Sequence, residues 1–371
     1  MDQTHQSKRK SPELRAHFDI PYYQYLNEEG QALCQLPQFS QDKALLVTLY
    51  EAMVKSRLLD KKCIALQRTG KMGTYPSILG QEAVGVGIGY AMRESDVFVP
   101  YYRDMATQMI RGVDIKEVLL CWGGDERGND FKKAREDFPN CVPIATQITH
   151  AAGVASAIKS KNQIRAVVTT AGDGATSRGD FYEAINLAGA WQLPLVVVVN
   201  NNQWAISVPR KLQTAAQTLA QKGIAAGIHC EQVDGCDILA VYEALTQALK
   251  KAYEGKGPSL IEAITYRLSD HTTADDATRY RAPDAVKDGW KMEPIKRFRN
   301  FLHGNNSWSE EQEKNLYQRC EIEINQGVEE YLKTPAESPS AMFDYLYQEL
   351  PESLREQRQH VMAKTGGHPH G

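Results

Sequence analysis

Two short runs carry residues able to hold a divalent cation against a phosphate: Gly172-Asp173-Gly174 and Asn200-Asn201-Asn202-Gln203-Trp204. A carboxylate, an amide oxygen and a nearby backbone carbonyl are three hard oxygen ligands. Mg²⁺ prefers an octahedron of oxygens and commonly completes it with phosphate oxygens and water. The glycines at 172 and 174 would let the backbone approach a diphosphate closely. A helix following the run would aim its unpaired N–H groups and positive dipole end at the same anion. A lone GDG is often only a turn after a strand. GDG followed by a helix, a buried strand and an asparagine run is a far more specific pattern.

The flanking elements must bring these runs together. Arg165 to Thr170 reads as a buried strand, Gly179 to Trp191 as a helix, and Leu195 to Val199 as a second strand, too uniformly apolar to be half-exposed. In a right-handed βαβ unit both strands point the same way. Their C-terminal ends then lie side by side, where open α/β sheets bind ligands. Asp173 and Asn202, distant in sequence, are predicted to meet there.

The rest of the chain continues the alternation. A helix is predicted at 149–159, one around 214–226, a strand at 231–233, a helix at 238–253 and a strand at 259–265, which together imply a parallel sheet with helices on both faces. Ser40 opens a helical pattern that Gly70 ends. Gly85, Gly87 and Gly89 do not form a dinucleotide fingerprint, because no strand precedes them and the spacing is wrong; they fit a tightly packed helix instead. Residues 267–290, carrying His271, Asp275 and Asp276, read as a long polar surface loop of the kind that usually has a task. Ser309 with Gln312 has capping-box spacing ahead of a charged helix. The chain divides into an arm at 1–39, an α/β domain at 40–305, and a helical extension with a flexible tail at 306–371.

Composition excludes several classes. With 371 residues, 42% hydrophobic and 24% charged, net charge −3, the chain is an ordinary globular one and has no concentrated basic face for nucleic acid. Lys8-Arg9-Lys10 reads as a solvated tail. The 7 cysteines form no C-x-x-C pair, and Cys230 and Cys236 lack metal-site neighbours, so free thiols in a reducing compartment are expected. No apolar run approaches the roughly 18 residues of a membrane span. The opening residues lack a signal-peptide core, and Asp2 and Glu13 argue against a transit peptide; a cytoplasmic protein with no membrane partner is expected.

The stretch GDGATSRGDFYEAINLAG…LPLVVVVNNNQWAIS resembles the thiamine-diphosphate motif of alpha subunits of the first, decarboxylating component of 2-oxo acid dehydrogenase complexes. Bacterial pyruvate-type chains look closest, through QTLAQKGIAAGI and the C-terminal helices. The resemblance runs from about Tyr23 to Leu350 and includes Gly80-Gln81-Glu82-Ala83, Tyr102-Arg103-Asp104 and the 271–281 loop. It implies the thiamine-diphosphate-binding fold (diphosphate domain), with thiamine diphosphate and Mg²⁺ as cofactors.

The same resemblance implies roles for individual residues. Asp173, Asn202 and the carbonyl of Trp204 would be Mg²⁺ ligands; family members usually have tyrosine or phenylalanine at the last place. Gly172, Gly174, Ala175, Tyr102 and Arg103 would line the diphosphate, and Ile144 would sit beneath the cofactor rings. His271 would steady the diphosphate and the intermediate, its imidazole titrating near neutrality. Thr146 and Gln147 match a monovalent-cation site, and Asp180 with Glu183 a proton relay between two active sites. The implied partners are a beta subunit supplying the pyrimidine half, in an assembly of two alpha and two beta chains, the lipoyl domain of the acyltransferase, and a 2-oxo acid, pyruvate foremost. A branched-chain 2-oxo acid or acetoin dehydrogenase alpha chain is the enzymatic alternative. A non-catalytic cofactor-binding homologue is the alternative of another class.

Overall fold

The computed structural model describes residues 15–365. Lys8-Arg9-Lys10, Asp2, Glu13 and the Gly/His end lie outside the described residues. Six strands form one parallel sheet in the order β1-β7-β8-β4-β3-β2. They are β1 (Tyr22–Tyr23), β2 (Val97–Val99), β3 (Val167–Gly172), β4 (Leu195–Asn201), β7 (His229–Asp234) and β8 (Ser259–Ile264). A two-stranded antiparallel hairpin, β5 (Trp204–Ala205) with β6 (Val208–Pro209), stands apart.

Every residue of β4 is buried, as its Leu-Val-Val-Val-Val run requires of a strand covered on both faces. One face, through Val167, Val197 and Leu260, packs on the helices Thr146–Ser160 and Gly179–Ala190. The other, through Val168, Val198 and Ile261, packs on Glu82–Ala91 and Ile238–Tyr253. The helices Lys43–Arg68, Pro294–Gly304 and Glu310–Leu332 add a further apolar cluster around Leu49, Phe298 and Leu316.

The expected α/β architecture is therefore present, and Glu82–Ala91 is the tightly packed helix its glycines imply. A Cβ on Gly85 would stand 2.9 Å from that of Ala106. Tyr22 pairs with Gln232, so residues of the 1–39 segment complete the sheet edge. Trp308, Cys320 and Ile324 of the 306–371 segment share a core with the helix Lys43–Arg68.

Local differences have physical causes. Asp42, whose side chain accepts from Leu45 N–H, caps the first long helix in place of Ser40. The helix expected at 214–226 is reduced to a 3₁₀ segment, Ala220–Ala226, started by Glu262, which accepts the N–H groups of Leu219 and Ala220. Ser309 caps Glu310–Leu332 by accepting from Gln312 N–H, but the Gln312 side chain bonds the Ser309 hydroxyl instead of the backbone. Residues 267–290 are not a plain surface loop. Arg267 and Arg281 are buried, and Pro283–Lys291 is a helix opened by its proline.

Candidate active site

β3 and β4 lie in parallel register with Gly172 opposite Asn200. Asp173, just past one strand end, and Asn202, just past the other, consequently line one cavity of ≈ 490 Å³. Gly172, Gly174, Ala175 and Trp204 line it from the same two turns. Tyr102, Arg103, Ile144 and His271 line it from three other segments. Thus each predicted metal, diphosphate and catalytic residue reaches a single site.

The Asp173 carboxylate is 1% exposed, and its Oδ2 has no hydrogen-bond partner among the described residues. Burial pushes its pKa up to about 6. An unpartnered buried carboxylate oxygen is costly unless a cation or donor completes it. Asn202 is held on both sides: its Oδ1 accepts from Trp204 N–H at 3.2 Å, and its Nδ2 donates to Gln81 Oε1 at 3.1 Å. The amide oxygen keeps a second lone pair. The Trp204 carbonyl accepts from Arg267 Nη1 at 3.4 Å. Among the described residues no cluster of three or more His, Cys, Asp or Glu could hold a metal. One carboxylate, one amide and one carbonyl form no such cluster, yet this donor set is hard and oxygen-only and so fits a small divalent cation that brings its own anion.

Electrostatics favour an anion. Arg103 donates Nη1 to the Ser77 carbonyl at 2.5 Å and Nη2 to that of His271 at 2.6 Å. Arg267, 0% exposed, donates to the Ile206 carbonyl at 2.8 Å and the Tyr280 hydroxyl at 2.7 Å. Neither guanidinium has a carboxylate within ion-pair distance among the described residues. Both buried positive charges act on Asp173, with Arg267 also shared with Asp275, and they leave room for an anion beside the carboxylate.

His271 differs from the sequence expectation. Its Nδ1 lies 3.1 Å from Arg103 Nη2 and 3.4 Å from Arg267 Nη1. Burial first, then these two cations, push its pKa down to about 4. The imidazole is therefore neutral near pH 7. Since arginine only donates, Nδ1 accepts and the ring proton sits on Nε2.

The two glycines flanking Asp173 differ in their surroundings. A Cβ on Gly174 would lie 2.9 Å from that of Ala205, so smallness at 174 is demanded by the β5 turn, whereas a Cβ on Gly172 would meet nothing closer than 3.9 Å. The helix Gly179–Ala190 does not follow directly; a 3₁₀ turn, Asp173–Ser177, intervenes. Asp180 is partly exposed and 3.5 Å from Arg178, Glu183 is exposed, and neither lines the cavity. Gln147 does line it, with an unpartnered Oε1, while its Nε2 donates to the Thr170 carbonyl at 2.8 Å. Sequence reasoning missed Arg267 as a site residue. An arginine three residues past an apolar strand, at the ligand-binding end of a parallel sheet, was the available signal.

The fold and cavity define the class: an α/β chain with a polar-floored cavity across the C-terminal ends of two neighbouring parallel strands. Residues 50–340 match the model of the dehydrogenase E1 component, and the chain belongs to that family. It is 38% identical over 361 residues to the pyruvate dehydrogenase E1 component subunit alpha of Staphylococcus aureus (strain Mu50), covering 94% of this chain and 97% of that one. Against the protein of the same description in Staphylococcus epidermidis (strain ATCC 12228) the identity is 37%, with the same coverage.

Proposed function

We propose that this chain is the alpha subunit of a thiamine-diphosphate- and Mg²⁺-dependent enzyme that decarboxylates pyruvate oxidatively and passes the acyl group to lipoamide. The observation that carries the reading is the unpartnered Asp173 oxygen beside Asn202, with Arg103 lining the same cavity and the buried Arg267 acting on the same carboxylate. Asp173, Asn202 and the Trp204 carbonyl would hold Mg²⁺. Arg103, Tyr102 and the turn Gly172–Ala175 would hold the diphosphate, with Ile144 beneath the rings. The bound cofactor supplies the electron sink that makes loss of CO₂ possible. His271, with its proton on Nε2, donates a hydrogen bond to the diphosphate or to developing negative charge.

The remaining assignments belong to the same reading. Asp180 and Glu183 serve as a proton relay only if a second chain covers the helix that carries them. Thr146 and Gln147 could take a monovalent cation, which the unpartnered Gln147 Oε1 supports. The protein works in the cytoplasm, as two alpha and two beta chains with the lipoyl domain as acyl acceptor, and no helix among the described residues is long and apolar enough to cross a membrane. Co-expression with the beta-type chain, followed by decarboxylation assays on pyruvate, 2-oxoisovalerate and acetoin with an artificial electron acceptor, tests the substrate. Preference for either of the last two would replace pyruvate. Absence of turnover with any of them would favour a non-catalytic cofactor-binding role.

A further inference from the structure

Below the cavity floor, Glu262 of β8 is 1% exposed and accepts four hydrogen bonds. Its Oε1 takes Asn201 Nδ2 at 2.7 Å. Its Oε2 takes Leu219 N–H at 2.7 Å, Ala220 N–H at 2.9 Å and Gln232 Nε2 at 2.9 Å. No Lys or Arg pairs with it among the described residues, so N–H donors alone satisfy the carboxylate, which is a strong arrangement for an ionised acceptor.

Two of these branches end at the two halves of the site. Through Asn201, whose Oδ1 accepts from Gln203 N–H at 3.2 Å, Glu262 fixes the turn in which Gln203 takes a positive φ of 72°. That turn presents Asn202 and the Trp204 carbonyl. Through Leu219 and Ala220, it fixes the start of the 3₁₀ segment that bears Lys222. Lys222 Nζ donates to the Thr176 carbonyl at 2.8 Å and hydroxyl at 2.9 Å, and that hydroxyl donates to the Asp173 carbonyl at 2.8 Å.

We infer that Glu262 is a positioning residue that holds the Asp173 and Asn202 turns at a fixed spacing, and so sets the affinity of the site for Mg²⁺. It touches neither substrate nor cofactor. The inference rests on the metal assignment proposed above. Without the carboxylate, one buried anchor no longer serves both turns, and binding Mg²⁺ must pay the entropy of ordering them.

The test is a Mg²⁺ titration at saturating thiamine diphosphate on the complex of this chain with its beta-type partner, read by the fluorescence of Trp204 at the cavity. Glu262→Gln should raise the half-saturating Mg²⁺ by about tenfold or more, because a neutral amide, with a donating NH₂ in place of one oxygen, cannot accept all four donors. Glu313→Gln is the matched control, since Glu313 is a buried carboxylate accepting Tyr50 OH and Trp308 Nε1–H far from the cavity. It should lower Tm comparably and leave the Mg²⁺ midpoint within about twofold. Asn201→Ala and Lys222→Met each cut one branch and should raise the midpoint by roughly three- to tenfold, adding little in the Glu262→Gln background. A shift of under about threefold in Glu262→Gln, or an equal shift in Glu313→Gln, overturns the inference. If Glu262→Gln does not fold, wild-type midpoints in both single-branch variants overturn it. A wild-type complex that binds no Mg²⁺ with the diphosphate refutes the metal assignment itself, and the inference with it.

Discussion

Arg103 grips His271 twice: its Nη2 donates to the His271 carbonyl at 2.6 Å and lies 3.1 Å from the ring Nδ1. One guanidinium thus fixes the backbone, the ring orientation and the tautomer of the loop histidine. Burial first, then Arg103 and Arg267, hold the ring neutral. The first prediction concerns that ring. Its titration, followed by NMR and assigned with His271→Gln, should have its midpoint at about 4 in the unloaded chain. Adding inorganic diphosphate should move the midpoint upward, because the anion offsets Arg103 and Arg267. A midpoint near the ordinary histidine value of about 6.5 without any anion would contradict the geometry.

Asp173→Asn removes the buried charge and keeps the shape. Its unloaded stability should be unchanged or higher by about 1 kcal/mol, since a charge with an unpartnered oxygen no longer has to be buried. Mg²⁺-dependent binding of thiamine diphosphate should weaken by at least about a hundredfold, as a neutral amide replaces the only side-chain anion of the metal set. Denaturant unfolding and calorimetric titration measure the two effects separately. Wild-type affinity in a folded variant would remove Asp173 from the metal set.

The meeting of Asp173 and Asn202 was legible from residue types alone, whereas Tyr102, Arg103, Ile144 and His271 were assigned only through the family resemblance. The run LVVVV reads as a strand covered on both faces and GDG as the turn after its parallel neighbour, which places Asp173 and Asn202 together. The tether of Arg267 to the carbonyls of Trp204 and Ile206 could not. It depends on a turn in which Gln203 and Ile206 take positive φ values of 72° and 55°, conformations that neither residue type announces. The role of Glu262 was hidden for a similar reason. A charged residue inside an apolar strand signals burial with partners, but its partners come from three distant stretches of chain. The titration of His271 was misjudged because burial and two neighbouring cations outweigh Asp275, the carboxylate that acts on the ring in the opposite direction.

Asp104 supplies a pH prediction. It is buried, accepts Tyr101 N–H at 2.9 Å and the Thr170 hydroxyl, and burial pushes its pKa up to about 8. Between the ordinary value near 4 and about 8, the folded state holds a proton that the unfolded state has released. Wild-type stability should therefore fall as pH rises through that window, by up to about 1.4 kcal/mol per unit from this group, and level off above it. Asp104→Asn should lack this slope, so wild type and variant should diverge between about pH 5 and about pH 8 in denaturant unfolding. Parallel curves would mean that Asp104 is ionised when folded.

The 267–290 segment should protect itself from proteolysis when the cavity is filled. Thr273 already exchanges hydrogen bonds with Tyr75, but Thr278 and Arg279 at the outer bend are exposed. Loading thiamine diphosphate and Mg²⁺ gives His271 and Arg103 a common anionic partner and should tighten that bend. Tryptic cleavage after Arg279 should slow by at least about fivefold on loading. Equal cleavage rates would mean the segment does not respond to the ligand.

The chain purified alone should not decarboxylate pyruvate, and its beta-type partner should restore turnover. The cavity offers a polar floor of Asp173, Asn202 and Arg103, but the described residues form one six-stranded sheet and a small hairpin, with no second sheet to hold an aminopyrimidine ring. Its rim is apolar and uncovered: Val142 is 61% exposed, Ile206 57% and Ile144 44%. An exposed apolar rim beside a ligand cavity marks a surface that a partner completes. Unless that rim is covered, one side of any bound cofactor faces water, and charge stabilisation is weaker there than in a dry site. Closing the site between unlike chains should make turnover depend on partner concentration until the complex saturates, while thiamine diphosphate binding to the single chain stays weak. Activity measured with an artificial electron acceptor across a titration of the beta-type chain reads this directly. Full turnover from the single chain would mean that it completes the pyrimidine side of the site by itself.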